Sequence, residues 1–116
     1  MPRKAVPQGR STPLSKAKLD ALVEEATVDC HDESEVRTGL LTMIQDNLKL
    51  PFETTILGVP VRVESVDFNK GGEIVATCVR DRHRQAIPIL DLPLPSPPPK
   101  GSEWIAAYRH WAGSWS

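Results

Sequence analysis

The acidic residues at positions 29–35 are the group whose types and spacing best suit a chemical role. Four carboxylates lie within seven residues, at Asp29, Asp32, Glu33 and Glu35. Hard cations such as Ca²⁺ are held by carboxylates and backbone carbonyls, and an irregular connection between helices could supply both. The alternative is a solvated acidic turn beside a helix N-terminus, where negative charge is favourable. Composition alone favours the solvated turn, because runs of charge are usually solvated faces.

Two aspartates stand where a helix does not favour them. Asp46 lies at the C-terminal end of the second predicted helix, and Asp29 lies near the end of the first. An acid there opposes the helix dipole and costs about 0.3–1 kcal/mol. A bound cation would turn this cost into a favourable interaction. The alternative is that each residue is simply a tolerated, exposed aspartate. Because a helix of about fourteen residues is about 20 Å long, these two carboxylates are not expected to share one ion.

Residues 67–74 imitate the first part of an EF-hand calcium loop. Asp67, Asn69, Gly72 and Ile74 stand where such a loop has an acid, an amide, a glycine and an aliphatic residue. The bidentate glutamate that should close the loop is replaced by Cys78, and the residues after Gly72 read as a strand. We therefore predict a hairpin turn here, with glycine supplying the left-handed backbone.

Basic residues support a rival function. Arg80, Arg82 and Arg84, with His83, form a predicted turn, and a basic arm carries Arg3, Lys4, Arg10, Lys16 and Lys18. A small barrel with these features could bind protein or nucleic acid. Nucleic acid is disfavoured, because Phe52 and Phe68 are the only aromatic residues before position 104 and base stacking needs more.

Enzymatic motifs are not recognisable in the chain. Cys30 and Cys78 lack CxxC spacing, the three histidines make no zinc signature, and Gly71-Gly72 is not followed by the Lys-Ser/Thr of a phosphate loop. Cys30 and His31 are adjacent, but neighbouring side chains usually diverge, so a thiol enzyme is disfavoured. We expect a protein that is not an enzyme, with both cysteines acting as small buried hydrophobic residues.

Two helices are predicted in the first half of the chain. Residues 1–12 are basic and poor in apolar residues, and read as a disordered tail. A helix over about 14–28, starting near Thr12-Pro13, has one apolar face, made by Leu19, Leu22, Val23 and Ala26. Asp32 and Glu35 have the spacing of a capping box for a second helix over about 33–48, which Pro51 ends.

Strands and a last helix are predicted in the second half. Residues 52–68 are rich in β-branched residues with period two, and further strands follow at Glu73–Val79 and Gln85–Leu90, the last two separated by the Arg80–Arg84 turn. Residues 93–99 are a proline-rich extended connector. A last helix is predicted over 103–112, capped by Ser102. Its apolar face carries Trp104, Ile105, Tyr108 and Trp111, and we expect these residues to pack in the core and not to form a stripe that recognises a ligand.

Length and composition bound the fold class. The chain has 116 residues, 40% of them hydrophobic, which suits a single domain over about 13–116. The net charge of −1 hides an acidic block, because residues 20–35 carry seven acids and no Lys or Arg. We expect an α+β fold with two N-terminal helices, a small SH3-like antiparallel β-barrel or sheet and a C-terminal aromatic helix. The chain has two cysteines, no apolar segment typical of a signal peptide and no apolar run long enough to span a membrane. We therefore expect a cytoplasmic protein.

The chain resembles the small bacterial calcium-binding proteins of the CcbP type. The likeness covers about 25–112, and its matches include Val28-Asp29, Glu33, Glu35, Gly39, Asp46-Asn47-Leu48 and Pro51-Phe52. Arg84 to Ile89 followed by Leu92 resembles the family's strand, and Trp104 to Trp111 its closing helix. The resemblance implies a cytoplasmic protein that binds Ca²⁺ as a buffer or signalling element. It implies Asp46 as the first ligand, then Asp29, Glu33 and Glu35, with Asp32 also in the acidic segment.

Two functions of different classes therefore stand as predictions. The first is Ca²⁺ binding by carboxylates and carbonyls near helix ends. The alternative is a small-barrel interaction module that binds protein, or less plausibly nucleic acid, through the Arg80–Arg84 turn and the C-terminal helix. No membrane partner is expected.

Overall fold

Three helices and one antiparallel sheet make up the structure, a computed structural model that describes residues 14–113. The tail over 1–12, the predicted helix start at Thr12-Pro13 and Trp115 lie outside the described residues. The elements in chain order are α1 Lys16–Ala26, α2 Glu33–Asn47, β1 Phe52–Ile56, β2 Val59–Phe68, β3 Ile74–Arg80, β4 His83–Pro88, a 3₁₀ turn Ile89–Asp91, and α3 Glu103–Gly113. The α+β class is confirmed.

The first two helices start where a side chain accepts a hydrogen bond from a backbone N–H group of the first turn. Ser15 caps α1, because its hydroxyl accepts from the backbone N–H of Lys18 at 3.1 Å. The helix therefore begins at Lys16, and it ends at Ala26, two residues before the predicted end. Asp32 caps α2 as the capping-box spacing predicts, and α2 stops one residue before the predicted end.

The sheet is an open meander and not a closed barrel. Its strand order is β1-β2-β3-β4, with every neighbouring pair antiparallel. Within residues 14–113, β1 pairs only with β2 and β4 only with β3, so the expected SH3-like closure is wrong for the described chain. The helices bury one face of the sheet directly, and the strands need not close on themselves to do so.

A β-bulge at Glu64 breaks the period-two pattern of β2. Val63 pairs with Cys78 but Ser65 pairs with Thr77, which leaves Glu64 as an extra residue. Val63 and Val66 are consequently both buried beneath the helices, although they are three positions apart and a regular strand would place them on opposite faces. This shift is not predictable from the sequence, because the bulge carries no distinctive residue here.

The last helix completes the core. Trp104, Ile105, Ala107 and Tyr108 are buried and pack with residues of α2 and β3 in one cluster. The prediction that the aromatic stripe is core is confirmed for Trp104 and Tyr108. Trp111 is half-buried, with its ring 6.1 Å from that of Tyr108 and the Arg37 guanidinium 5.7 Å from its centre.

Contacts far apart in sequence fix the periphery of this core. His110 of α3 lies 2.7 Å from the Asp20 carboxylate of α1, which also pairs with Lys16. Hydrogen bonds from Lys16 and His110 lower the pKa of Asp20. The proline strap, residues 93–99, is neither helix nor strand and bends at 96–97, and its Pro93 carbonyl accepts a 2.6 Å hydrogen bond from the buried Thr54 hydroxyl of β1. None of the helices described between residues 14 and 113 is long and apolar enough to cross a membrane.

Candidate functional site

The acidic connection between α1 and α2 is a capping box. Asp32 accepts a 2.8 Å hydrogen bond from the backbone N–H of Glu35, and Glu35 accepts one of 2.6 Å from the backbone N–H of His31. Asp32 thereby satisfies a backbone donor that the first turn of α2 leaves free, whereas Glu35 satisfies the N–H of His31, one residue before the N-cap, so the pair is a variant of the capping box. Both carboxylates are engaged by the fold itself.

The other proposed ligands are not brought together with them. Glu33 forms a 2.8 Å ion pair with Arg37 one turn along α2. Asp29 is exposed, and no hydrogen bond or ion pair to its carboxylate occurs among the described residues. Asp46 lies fourteen positions beyond Asp32 on the same helix, which places it about 20 Å away. Across residues 14–113, no three His, Cys, Asp or Glu side chains form a group that could hold a metal ion.

Replacing Asp32 with Ala is expected to lower the free energy of unfolding by about 1 kcal/mol, because it removes the acceptor of the Glu35 N–H. Asp29→Ala is the matched control, since Asp29 is exposed and caps nothing, and it is expected to change stability by less than about 0.5 kcal/mol. Urea unfolding with and without Ca²⁺ measures both. Equal losses for the two variants, or a loss seen only with Ca²⁺, would contradict the capping role.

Like Asp29, Asp46 makes no hydrogen bond or ion pair through its carboxylate among the described residues. It is exposed in the last turn of α2, and that turn contains no basic residue. Nearby carbonyls are partly occupied, since Met43 accepts from the Asn47 side chain at 2.8 Å and Ile44 accepts from the Leu48 N–H. The helix end is therefore electronegative, which suits a weakly held cation better than an enclosed site.

The loop that imitates an EF-hand is a hairpin turn, as predicted. The Asn69 side-chain oxygen accepts hydrogen bonds from the backbone N–H groups of Gly71 and Glu73, at 2.9 and 3.0 Å. Gly72 takes a left-handed φ of 78°. The Asn69 oxygen that an EF-hand would direct at calcium is used inside the turn.

The two cysteines are held as thiols. Cys30 Sγ donates to the Glu35 carbonyl at 3.2 Å, and burial, followed by the nearby carboxylates of Glu35, Asp29 and Asp32, raises the pKa of Cys30. Cys78 is buried, and that burial raises its pKa. Both shifts disfavour the thiolate that nucleophilic catalysis needs.

An apolar groove opens at the end of the sheet where the helices stop. This end groove has a volume of about 420 Å³ and crosses all four strands. Its apolar floor consists of Ile56, Leu57, Val59, Val61, Cys78 and Ile87. Arg80, His83 and Gln85 complete its lining. The helical layer covers Val63 and Val66 farther along β2 but leaves this end of the same face open.

The Arg80–Arg84 turn forms one border of the end groove. The predicted turn is shorter than expected, because Arg80 and His83 pair across β3 and β4 and only Asp81 and Arg82 connect them. Arg80 lines the groove and donates a 3.0 Å hydrogen bond to the Pro60 carbonyl. Arg84 points away, toward Glu64 at 3.4 Å.

Sequence reasoning found the basic turn but missed the groove beside it. The available signal was the alternation of Val59, Val61 and Val63, which indicates one apolar face. That pattern does not tell how far along the strand a covering layer extends. Leu57 supplies the second signal, an aliphatic residue directly before Gly58 in a turn, where polar residues are usual.

No protein family, curated protein or solved structure matches the chain in the three comparisons made. The likeness to the CcbP type consequently depends on the residues quoted above.

Proposed function

We propose that this protein is a non-enzymatic interaction module that holds a segment of a partner protein in the end groove. The observation that carries the proposal is the apolar floor, which within residues 14–113 is only partly covered and continues the core face of the sheet past the end of the helices. A volume of about 420 Å³ lies within the usual range of binding sites. We place the partner at the end groove and the adjoining Arg80–Arg84 turn and not on the C-terminal helix, because Trp104 and Tyr108 of α3 are buried.

Exposure of the aliphatic residues supports the same proposal. The side chain of Leu57 is 99% exposed and that of Val59 is 40% exposed, and both border the groove. Burying one such side chain against a partner contributes about 1.5–3 kcal/mol. Clustered aliphatic residues at one edge of an apolar groove are typical of interaction sites, whereas single exposed ones are ordinary.

A peptide selection tests this proposal. Random dodecapeptides displayed on phage are selected against the wild-type protein, and the affinity of the recovered peptides is measured by fluorescence anisotropy. Val59→Glu is expected to weaken binding at least about tenfold, because it places a charge on the apolar floor. Val28→Glu is the control, since Val28 is 78% exposed and lies outside the groove. Peptides that bind Val59→Glu as tightly as the wild type would overturn the proposal.

Calcium binding is the second proposed function, and it belongs to a different class. It is supported by the exposed carboxylate of Asp46 at the carbonyl end of α2, in a last turn without a basic residue. The protein would then act in the cytoplasm as a calcium buffer or signalling element, as the resemblance implies. One carboxylate with a few carbonyls suits weak binding, with a Kd of about 10⁻⁴–10⁻³ M.

Calorimetric titration of Ca²⁺ into chelator-treated protein tests the second function. Binding by the wild type, lost in Asp46→Asn and kept in the exposed control Asp91→Asn, is the expected result. Binding that survives Asp46→Asn would remove Asp46 from the site. The absence of both heat and thermal stabilisation at millimolar Ca²⁺ would overturn calcium binding itself.

A further inference from the structure

From the end groove we infer that the partner segment carries a carboxylate next to its apolar side chains, and that this carboxylate binds at Arg80 and His83. The inference rests on the interaction function proposed above and names the chemistry of the partner. It follows from how charges are distributed over the two faces of this end of the sheet.

On the outer face, both arginines already have an acidic partner within the fold. Arg62 forms a 2.6 Å ion pair with Glu64, the bulge residue, and Arg84 lies 3.4 Å from the same carboxylate. A single glutamate thus serves two arginines on that face. Each arginine on that face therefore already shares an ion pair, which distinguishes it from the basic groups that line the groove.

The groove face differs, because its basic groups have no acidic counterpart. Among residues 14–113, no acidic residue lines the end groove, whereas Arg80 and His83 do. In the part of the chain that the structure describes, Arg80 makes no ion pair, and its one hydrogen bond goes to the Pro60 carbonyl. An arginine has five N–H donors, so most of those on Arg80 remain available to a ligand.

The position of these donors defines the ligand further. Arg80 and His83 pair across the β3–β4 hairpin, so both lie at one end of the apolar floor. A bound segment would place aliphatic side chains over Val59, Val61 and Ile87 and a carboxylate at that end. Apolar burial supplies most of the affinity of such a complex, and the charge fixes its orientation.

Two phage libraries that differ only in acidic residues test the inference. One encodes random dodecapeptides, and the other encodes them without Asp or Glu. We expect the first to yield peptides with an acid beside aliphatic residues. Replacing that acid with its amide should weaken binding to the wild type about two- to fivefold at about 50 mM NaCl, and less at about 300 mM.

A double-mutant comparison assigns the effect to the groove. Acid and amide peptides should bind Arg80→Gln about equally, while Arg84→Gln, altered on the outer face, should still distinguish them about two- to fivefold. If Arg80→Gln does not fold, His83→Gln takes its place and should reduce the preference for the acid. The inference would be overturned if Arg80→Gln bound the acid peptide more tightly than the amide peptide by the same factor as the wild type does.

Other results separate the inference from the function on which it rests. Some peptides could bind the Val59→Glu variant more weakly than the wild type, yet bind the wild type equally well as acid or amide. That result would overturn the proposed role of the carboxylate and leave the interaction function standing. Peptides insensitive to Val59→Glu would overturn both. Concentration-dependent self-association abolished by Val59→Glu, seen by sedimentation without any peptide, would identify a second copy of the chain as the occupant and would also overturn the inference.

Discussion

Gly101→Ala is expected to lower the free energy of unfolding by about 4 kcal/mol, the sum of backbone strain and overpacking. Gly101 is buried between the proline strap and α3, with a left-handed φ of 91°. A Cβ atom there would overlap the backbone carbonyl of Asn47 and lie 2.6 Å from Leu48 Cα. Because the neighbours are backbone atoms at the end of α2, no side-chain rotation can relieve the contact.

Gly58→Ala is the matched control for that substitution. Gly58 also has a left-handed φ, of 79°, but a Cβ atom there meets nothing within 4 Å. The control therefore isolates the backbone strain, and a loss of about 1 kcal/mol is expected. Urea unfolding of the two variants measures the difference. Equal losses would show that the close approach to Asn47 contributes nothing, contrary to the expectation.

Trp104→Ala is expected to cost about 3–5 kcal/mol of unfolding free energy. Trp104 is 4% exposed in the cluster that joins α3 to α2 and the sheet, so its removal leaves a large cavity. Trp111→Ala should cost less, because Trp111 is only half-buried at the edge of that cluster. Chemical unfolding with unchanged m values measures both losses.

The comparison of these two variants also tests the role of the aromatic residues of α3. A stable, folded Trp104→Ala protein that has lost only partner binding would contradict a core role for Trp104. The peptides selected on the wild type supply that readout. We expect Trp111→Ala to bind them with unchanged affinity, since Trp111 does not line the end groove.

Elements were predictable from the sequence wherever a local rule decides them. The spacing of Asp32 and Glu35 predicted the start of α2, because a capping box needs only neighbouring residues. The Asn69–Gly72 turn was predictable for the same reason. Closure of the sheet was not, because whether β1 meets β4 depends on how much of one face the helices cover. The bulge at Glu64 depends likewise on pairing with β3.

The candidate site shows the same limit. The sequence indicated the acidic segment, but periodicity alone could not tell which carboxylates the fold uses. Glu35 and Glu33 are engaged by the His31 N–H and by Arg37, and these contacts emerge only when the chain is folded. The end groove could not be predicted from the sequence, because its position depends on where the helical layer stops. That boundary is a property of tertiary packing, which the pattern of one strand does not encode.

The order in which the core is assembled has a consequence for synthesis. The whole sheet is complete at Pro88, yet the helix that brings Trp104 and Tyr108 onto it begins only at Glu103. The strands therefore leave the ribosome before α3, and until α3 docks, the part of the inner face beneath it, including Ile74 and Ala76, lacks its cover. During that interval this part of the inner face adds to the apolar surface of the end groove, at which the chain is most exposed to aggregation or to capture by a chaperone.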